Sequence, residues 1–252
     1  TVDTWIAWTL SEGALHVTDA TNAAVTGLQL LAAPMVWDTR TLEALRIPES
    51  SLPTIVDSDA VVGAATALPG APPIASLLGD QQASLLGQRC VRPGDAKITF
   101  RTGRMLDAVV GRERPPFDDR GERGTFPIVT SRRSGVCTWG IEAVMLAAGA
   151  NVQWLRDDLG VISSSAESDA IAASCADSGG VVFVPAPLGL GTPWWDYGAR
   201  GALYGLTRGS GRAEIVRAVL EGIAHRGTDL VEAAEADAGI AIETLRVDGG
   251  MT

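Results

Sequence analysis

Histidine and cysteine are scarce in this sequence, which has two histidines and three cysteines among 252 residues. Cys90, Cys137 and Cys175 show no C-x-x-C spacing and no companion histidines, so neither a zinc site nor a disulfide framework is indicated. We predict that they are small buried side chains in a reducing compartment. Because His16 and His225 are isolated as well, hydrolases built on a Ser-His-Asp triad or a His-bound metal are disfavoured.

Long apolar runs and basic clusters are also absent. No stretch reaches the about 18 unbroken apolar residues of a membrane-spanning helix, and the N-terminus has no basic-then-apolar secretory pattern. The 20 basic residues are outnumbered by 30 acidic ones, and Asp and Glu interrupt the arginines between positions 101 and 133. A net charge of −10 repels phosphate backbones and anionic lipid. We therefore predict a cytoplasmic protein that binds neither nucleic acid nor membranes.

Apolar residues form 46% of the sequence, enough to fill a sizeable core, and their spacing predicts secondary structure along most of the chain. The clearest pattern is a helix over 212–237, with Gly239 as its stop signal. A second long helix is predicted over 140–156, interrupted at Gly149. Further helices are predicted at 37–45 and 81–88, and short strands at 74–78, 97–100, 105–110, 126–130, 181–185 and 245–247.

The order of these elements predicts an α/β protein, because strand–helix units alternate and enclose a run of short strands. A change of texture near residues 89–94 predicts a boundary between two domains, 1–88 and 89–252. The last predicted strand runs into Gly249-Gly250 and the sequence stops two residues later. Such a strand usually feeds a helix, so we expect the sequence to be a piece of a longer enzyme.

Asp80 lies where a predicted strand ends and a predicted helix begins, the position at which open α/β sheets gather ligands. One interpretation is that Asp80 only caps the helix. The other is that its carboxylate takes the proton from a substrate hydroxyl that attacks a phosphoryl group, with the helix N-terminus keeping it ionised. Gln81 would then hydrogen-bond a neighbouring hydroxyl. The local pattern leaves both interpretations open.

Small residues mark three further positions that could approach a ligand. Thr102-Gly103 lies between two predicted strands, as a hairpin turn or as a turn that contacts phosphate. Gly149 within a helical pattern costs about 1 kcal/mol relative to alanine, which close packing or ligand approach would explain, and Gln153 lies one turn further along the same face. Gly249-Gly250 is either a tight turn or backbone close to a ligand.

Six stretches together form a more specific pattern than any single motif. They are Thr1–Trp8 (TVDTWIAW), His16–Ala23 (HVTDATNA), Gly79–Gln88 (GDQQASLLGQ), Gly149–Asp157 (GANVQWLRD), Pro185–Gly209 (PAPLGLGTPWWDYGARGALYGLTRG) and Leu245–Gly250 (LRVDGG). In this order they resemble the FGGY family of carbohydrate kinases, and within it the glycerol kinases, along nearly the whole length. Residues 201–221 also fit the second signature of that family.

The resemblance implies an actin-like, ribonuclease-H-like ATPase fold of two domains and the ATP-dependent phosphorylation of a small polyol, with glycerol as first choice and glycerol 3-phosphate as product. It implies that Asp80 is the general base and that Gln81 contacts the substrate. It also implies ATP and Mg²⁺ as cofactors and leaves a homo-oligomer as an open expectation. The implied contacts to ATP phosphates and ribose are Thr102, Gly103, Gly149 and Gln153, and the implied contact to adenine is Gly250.

Departures from the family pattern favour two alternatives. Glycerol kinases usually carry Tyr-Gly-Thr-Gly-Cys-Phe where this sequence has FRTGRM, from Phe100 to Met105. Met105 replaces an aromatic residue of the substrate pocket, and together with Arg104 it favours another sugar or polyol as acceptor. Arg101 beside the phosphate turn favours a non-catalytic, kinase-derived binding protein. The Asp associated with Mg²⁺ and the closing helices are expected outside this sequence, so we expect the isolated chain to be inactive and to hold no metal ligand.

Overall fold

The computed structural model describes residues 1–101 and 103–250 of the chain. Helices and strands alternate along it, with two short 3₁₀ helices at Glu49–Ser51 and Ser165–Glu167. The α-helices are α1 (Val2–Leu10), α2 (Ala20–Ala24), α3 (Thr39–Leu45), α4 (Asp80–Gly87), α5 (Gly149–Asp157), α6 (Ser168–Ala172) and α7 (Arg212–Ala238). The strands are β1 (Val17–Asp19), β2 (Thr54–Val56), β3 (Gly63–Ala64), β4 (Pro73–Ile74), β5 (Asp95–Phe100), β6 (Arg104–Gly111), β7 (Phe126–Arg133), β8 (Val136–Met145), β9 (Val182–Val184), β10 (Ala202–Tyr204) and β11 (Thr244–Asp248).

The largest sheet has five strands in the order β11-β5-β6-β8-β7. Three two-stranded sheets accompany it. The first pairs β1 with β2 in parallel, with Val17 opposite Thr54. The other two are antiparallel and pair β3 with β4 and β9 with β10. This mixture of helices and sheets confirms the predicted α/β class.

The chain forms two compact units. The first contains residues 1–95, 108–119 and 127–141, and the second contains 96–107, 120–126 and the described residues from 142 onward. In the first unit, Trp37, Ile55, Val129 and Trp139 belong to one apolar core. The Trp37 indole N–H donates to the carbonyl oxygen of Pro53 at 3.0 Å, so its polar edge is paired inside that core. The domain division at residue 88 stays a prediction.

Helix α7 is the longest element and confirms the prediction over 212–237 with one further residue. At its start the Glu214 side chain accepts a hydrogen bond from the Gly211 N–H at 2.9 Å, which satisfies a donor that the helix leaves unpaired. At its end Gly239 has a φ of 66°, a left-handed conformation that glycine adopts at little cost. The face between these ends buries Val219, Ile223 and Leu230 in the second unit.

Two element predictions are wrong. Residues 136–145 form strand β8, and the predicted helix over 140–156 exists only from Gly149 onward, as α5. Seven of the ten residues of β8 are apolar, without strict alternation, so their spacing does not separate a buried strand from a buried helix. The predicted strand over 74–78 is reduced to Pro73–Ile74, because the Leu77 N–H donates to the carbonyl oxygen of Ser58 (3.2 Å) instead of joining a strand ladder.

The cysteines are free thiols, but only Cys90 is fully buried. Cys137 and Cys175 are half-buried, so the prediction of three buried side chains is wrong for these two. The Cys175 thiol donates to the carbonyl oxygen of Ala172 at 3.3 Å, just past the end of α6, where the chain turns toward solvent. Across residues 1–101 and 103–250, no helix is long and apolar enough to cross a membrane.

Candidate functional site

Asp80 is the first residue of α4, and the residue that caps this helix is Gly79. The interpretation of Asp80 as the helix cap is therefore wrong. Its side chain is exposed, and its Oδ1 accepts a hydrogen bond from the Gln81 N–H at 2.9 Å. Gln81 is half-buried beside it, whereas Gln82 is buried.

Gly79, at the turn before Asp80, is held by a hydrogen bond and packs closely against its own helix. The Gly79 N–H donates to the hydroxyl oxygen of Thr21 at 2.9 Å, so the backbone of the turn is joined to α2. A Cβ atom added to Gly79 would collide with the Oε1 atom of Gln82, so the end of that side chain would have to shift. The turn that carries Asp80 is thus anchored by the hydroxyl of Thr21.

A buried polar network that the sequence analysis missed lies behind this turn. Asp19, at the N-cap of α2, is fully buried, and its carboxylate accepts hydrogen bonds from the hydroxyls of Thr21 (2.8 Å) and Ser58 (2.6 Å). The HVTDATNA stretch contributes only to the family resemblance, and no role was predicted for Asp19. Asp followed by Thr and Asn is a helix-cap signal that could have identified Asp19. Its contact with Ser58, 39 residues away, has no local signal.

The predicted glycines come together in the second unit. The Gly149 N–H donates to the carbonyl oxygen of Arg101 at 2.9 Å. A Cβ atom on Gly103 would lie only 3.0 Å from the carbonyl oxygen of Met145, and one on Gly249 would collide with the carbonyl oxygen of Phe100. Three parts of the backbone, at residues 100, 101 and 103, at 145–149 and at 249, therefore approach one another more closely than side chains would allow.

Gly149 differs from its prediction in one respect. It is the first residue of α5 and not the interior of a long helix, so the argument from the cost of glycine inside a helix does not apply. Gln153 follows one turn later and is exposed. The N-cap residue of α5 is Ala148, whose side chain cannot cap the helix, and the Gly149 N–H is already hydrogen-bonded to the carbonyl oxygen of Arg101. The partial positive charge of the helix N-terminus still favours a phosphate group at this end of α5.

The other predicted nucleotide contacts lie beside these segments or outside the described residues. Gly250 follows β11 and is exposed, and a Cβ atom added to it would meet no atom of the described residues within 4 Å. Thr102 lies outside the described residues. Asp80 and Gln81 belong to the first unit, and Gly103, Gly149, Gln153 and Gly250 belong to the second.

Arg104 does not reach this group of glycines, because its side chain is buried against α7. Its guanidinium lies 3.2 Å from the ring centroid of Phe100 and donates to the carbonyl oxygen of Ile223 at 2.9 Å. Gly227 leaves room for it, since a Cβ atom there would collide with the guanidinium. Burial, together with the nearby charge of Arg226, lowers the pKa of Arg104 to about 9.

A buried charge cluster lies in the sheet next to the same segments. Lys97 and Asp107 form an ion pair of 2.8 Å, and both side chains are fully buried. Glu142 is a partly buried neighbour, and the loss of hydration, followed by repulsion from Asp107, raises its pKa to about 8. Burial also raises the pKa of Asp107, with the charge of Asp248 adding to the effect. Since Lys97 balances only one carboxylate, Glu142 holds a proton at neutral pH.

The described residues do not supply a metal centre. Among residues 1–101 and 103–250, no three His, Cys, Asp or Glu side chains lie together in an arrangement that could hold a metal ion. The acidic residues of the charge cluster contact Lys97 and each other instead. The Mg²⁺ implied by the resemblance therefore has no ligand set in this part of the chain, and no reaction step is assigned through it.

Comparison with solved structures defines the class of protein. The chain is similar to a Plasmodium falciparum glycerol kinase crystallised with ADP, with a TM-score of 0.88 and 31% identity over 100% of this chain and 50% of that one. A ligand-bound xylulose kinase from Lactobacillus acidophilus shares the fold at 22% identity, with a TM-score of 0.76 over 99% of this chain and 50% of that one. The chain thus has the actin-like ATPase fold of carbohydrate kinases, as predicted.

The sequence itself places the chain within that class. Residues 1–87 match the N-terminal domain, and residues 123–252 the C-terminal domain, of the FGGY family of carbohydrate kinases. The chain belongs to this family. It is 45% identical to a glycerol kinase of Shewanella sp. (strain ANA-3) over 99% of this chain, and 43% identical to one of Shewanella amazonensis over the same share. The chain spans about half the length of these curated relatives.

Proposed function

We propose that the protein carrying this chain transfers the γ-phosphoryl group of ATP to a small polyol, with glycerol as the favoured acceptor and Asp80 as the general base. The observation that carries the proposal is the position of Asp80. It is an exposed carboxylate at the start of α4, on a fixed turn, in a chain that belongs to a carbohydrate kinase family. The 45% identity with a glycerol kinase supports glycerol over other acceptors.

In the proposed reaction the Asp80 carboxylate accepts the proton of an acceptor hydroxyl as its oxygen attacks. The oxygen forms a bond to the γ-phosphorus, the bond from that phosphorus to the bridging oxygen breaks, and ADP leaves. Gln81 offers an amide donor and acceptor to a neighbouring hydroxyl of the polyol. Phosphoryl transfer depends chiefly on the positioning of the reactants. The protein therefore needs to supply only one proton acceptor, at the hydroxyl of the polyol.

The nucleotide is proposed to bind the segments that carry the close-packed glycines. The N-terminus of α5, beginning at Gly149, suits phosphate oxygens, and Gly103 lets the backbone come near them. Gln153 and Gly250 are exposed and offer contacts to ribose and adenine. The solved relative bound to ADP supports the use of an adenine nucleotide. Thr102, Mg²⁺, a cytoplasmic location and a homo-oligomer stay predictions from the resemblance.

A second acceptor is favoured by Met105. This residue lies in β6, where glycerol kinases usually carry an aromatic residue, and it is followed on the same strand by the buried Leu106. Without the aromatic side chain, the pocket would have a different shape and could take another sugar or polyol. Under this alternative, Met105→Phe raises kcat/KM for glycerol relative to the other acceptors. An unchanged order of kcat/KM values among the acceptors would contradict a role for Met105.

The proposal is tested by ADP release from ATP with a panel of acceptors. The enzyme is the longest polypeptide encoded by the reading frame that contains this sequence, and the panel contains glycerol, other small polyols and ketose sugars. We expect the highest kcat/KM with glycerol. Turnover of a different acceptor alone would replace glycerol, and a folded protein that releases no ADP with any acceptor would favour the non-catalytic alternative, for which the exposed Arg101 is the residue to examine.

A further inference from the structure

The segment that leads into Asp80 is fixed by hydrogen bonds at two levels. The Leu77 N–H and the Ser76 hydroxyl both donate to the carbonyl oxygen of Ser58, at 3.2 and 2.8 Å. Two residues further on, the Gly79 N–H donates to the hydroxyl oxygen of Thr21 at 2.9 Å. The residues before the proposed base thus depend on one backbone carbonyl, that of Ser58, and on one side chain, that of Thr21, both distant in sequence.

Thr21 can accept this bond because its own proton is directed elsewhere. The residue is fully buried, and its hydroxyl donates to the two carboxylate oxygens of Asp19, at 2.8 and 3.0 Å. A hydroxyl has one proton and two acceptor lone pairs, so this donation leaves a lone pair for Gly79. The direction of the Thr21 hydroxyl, and with it the position of the Gly79 amide, is set by Asp19.

Asp19 receives five donors and forms no ion pair in the part of the chain that the structure describes. The N–H of Thr21 donates to it, as do the N–H and the side-chain amide of Asn22, in addition to the hydroxyls of Thr21 and Ser58. A carboxylate that is saturated by short-range donors holds each of them in one orientation. The two residues that hold the segment before Asp80, Ser58 and Thr21, therefore both donate their hydroxyl protons to the buried carboxylate of Asp19.

We propose that Thr21 is a positioning residue for phosphoryl transfer. Oriented by Asp19, it fixes the Gly79 amide and so sets where the Asp80 carboxylate meets the acceptor hydroxyl. The inference rests on the proposed function, because it assumes that Asp80 is the base. Displacing a reacting group by about 1 Å can cost about 100-fold in rate, so loss of this single hydrogen bond should affect turnover more than ground-state binding.

The test uses two substitutions at Thr21 and a matched control at Thr18. Thr21→Val keeps the shape and removes the acceptor of the Gly79 bond, whereas Thr21→Ser keeps the hydroxyl. Thr18 is equally buried, and its hydroxyl donates to Asp3 at 2.8 Å and not to the segment before Asp80, so Thr18→Val disturbs the same region without touching the anchor. The parent protein and the three variants are each made as the longest polypeptide that the reading frame encodes.

The first measurement is amide hydrogen exchange of residues 76–82, which needs no activity. In Thr21→Val we expect at least a tenfold loss of protection at Gly79 and its neighbours, with no such loss in Thr21→Ser or Thr18→Val. Unchanged exchange in Thr21→Val would overturn the anchor, whatever the protein's activity. A protein without kinase activity would overturn the proposed function and the positioning role, while the exchange data would still report on the anchor.

The second measurement is steady-state turnover with glycerol. In Thr21→Val we expect kcat to fall about 10- to 100-fold while KM for ATP changes less than about twofold, and Thr21→Ser should restore most of kcat. An equal loss of kcat in Thr18→Val, or a loss in Thr21→Ser as large as that in Thr21→Val, would reduce Thr21 to a structural role.

Discussion

At the scale of single residues, Glu142 shows how burial determines protonation in this protein. Glu142 and Asp107 are adjacent carboxyl groups in the second unit. Among the described residues, Lys97 is the one basic group that affects the pKa values of both. Hydration of two ionised carboxylates is lost there, while one ammonium group balances one of them. The pair therefore keeps a proton that the unfolded chain would release near pH 4.5, the ordinary value for Glu142.

This proton predicts a loss of stability with rising pH. A folded-state pKa of about 8, above the unfolded value, gives stability that is present in full at low pH and is lost as the pH approaches 8. We expect the free energy of unfolding to fall by at most about 1.4 kcal/mol per pH unit between pH 6 and 8 from this group. Urea unfolding at pH 6, 7, 8 and 9 measures the slope.

Glu142→Gln should flatten that slope, since an amide does not titrate. The control is Glu232→Gln, at an exposed position of α7. Its free energy of unfolding should depend on pH with the same slope as that of the parent protein. Equal slopes in the Glu142→Gln variant and the parent would contradict the assignment of the proton to Glu142.

At the scale of elements, α7 fixes a loop as well as filling a core. Near its end the Asp237 carboxylate accepts hydrogen bonds from the N–H of Arg123 (2.8 Å), the N–H of Thr125 (3.2 Å) and the Thr125 hydroxyl (2.7 Å). Thr125 is fully buried, so without the Asp237 carboxylate its N–H and hydroxyl groups would lose the acceptor that they share and could not turn to solvent instead. The C-terminal turn of the helix therefore holds the segment before β7.

Asp237→Ala is expected to destabilise the protein by about 1–3 kcal/mol, because buried donors of Thr125 lose their acceptor. Urea unfolding followed by circular dichroism gives the difference. Glu232→Ala, on the same helix but exposed, should change stability by less than about 0.5 kcal/mol. If the two variants are equally stable, Asp237 does not hold the loop.

The comparison of α7 with β8 explains which elements the sequence could predict. Helix α7 carries helical periodicity over its length, and Glu214 and Gly239 mark its two ends, so local signals agree with its fold. Strand β8 has seven apolar residues of ten without strict alternation, and it forms a strand because β6 and β7 pair with it from elsewhere in the chain. Local spacing cannot report such pairings.

The same distinction applies to the candidate site. Asp80 was found because a helix start after a Gly-Asp turn is a local signal, although its capping role went to Gly79. The Asp19 network was missed because it joins residues 39 and 58 positions apart, Asp19 with Ser58 and Thr21 with Gly79. Gly149 lies at the start of a helix and bonds to Arg101, not in the helix interior that the sequence suggested, and its contact with the nucleotide stays a prediction.

At the scale of the whole molecule, the proposed base and the proposed nucleotide contacts belong to different compact units. The first unit contains the Asp80 carboxylate, on a turn that a buried network holds, and the second contains the close-packed glycines and the start of α5. The chain belongs to the FGGY family, and under the proposed function both sets of residues serve phosphoryl transfer. Because the chain spans about half of its curated relatives, activity belongs to the protein that carries it and is measured there.

The most direct test of the account is the single-turnover rate of Asp80→Asn with saturating ATP and glycerol. We predict a fall of about 100- to 10,000-fold with the affinity for ATP nearly unchanged, because only the proton acceptor is removed. The control is Glu49→Gln, which also replaces a carboxylate by an amide, at the exposed first residue of a short helix in the first unit. This variant should keep the rate of the parent protein. A rate in Asp80→Asn within a few-fold of the parent would contradict the assignment of Asp80 as the base.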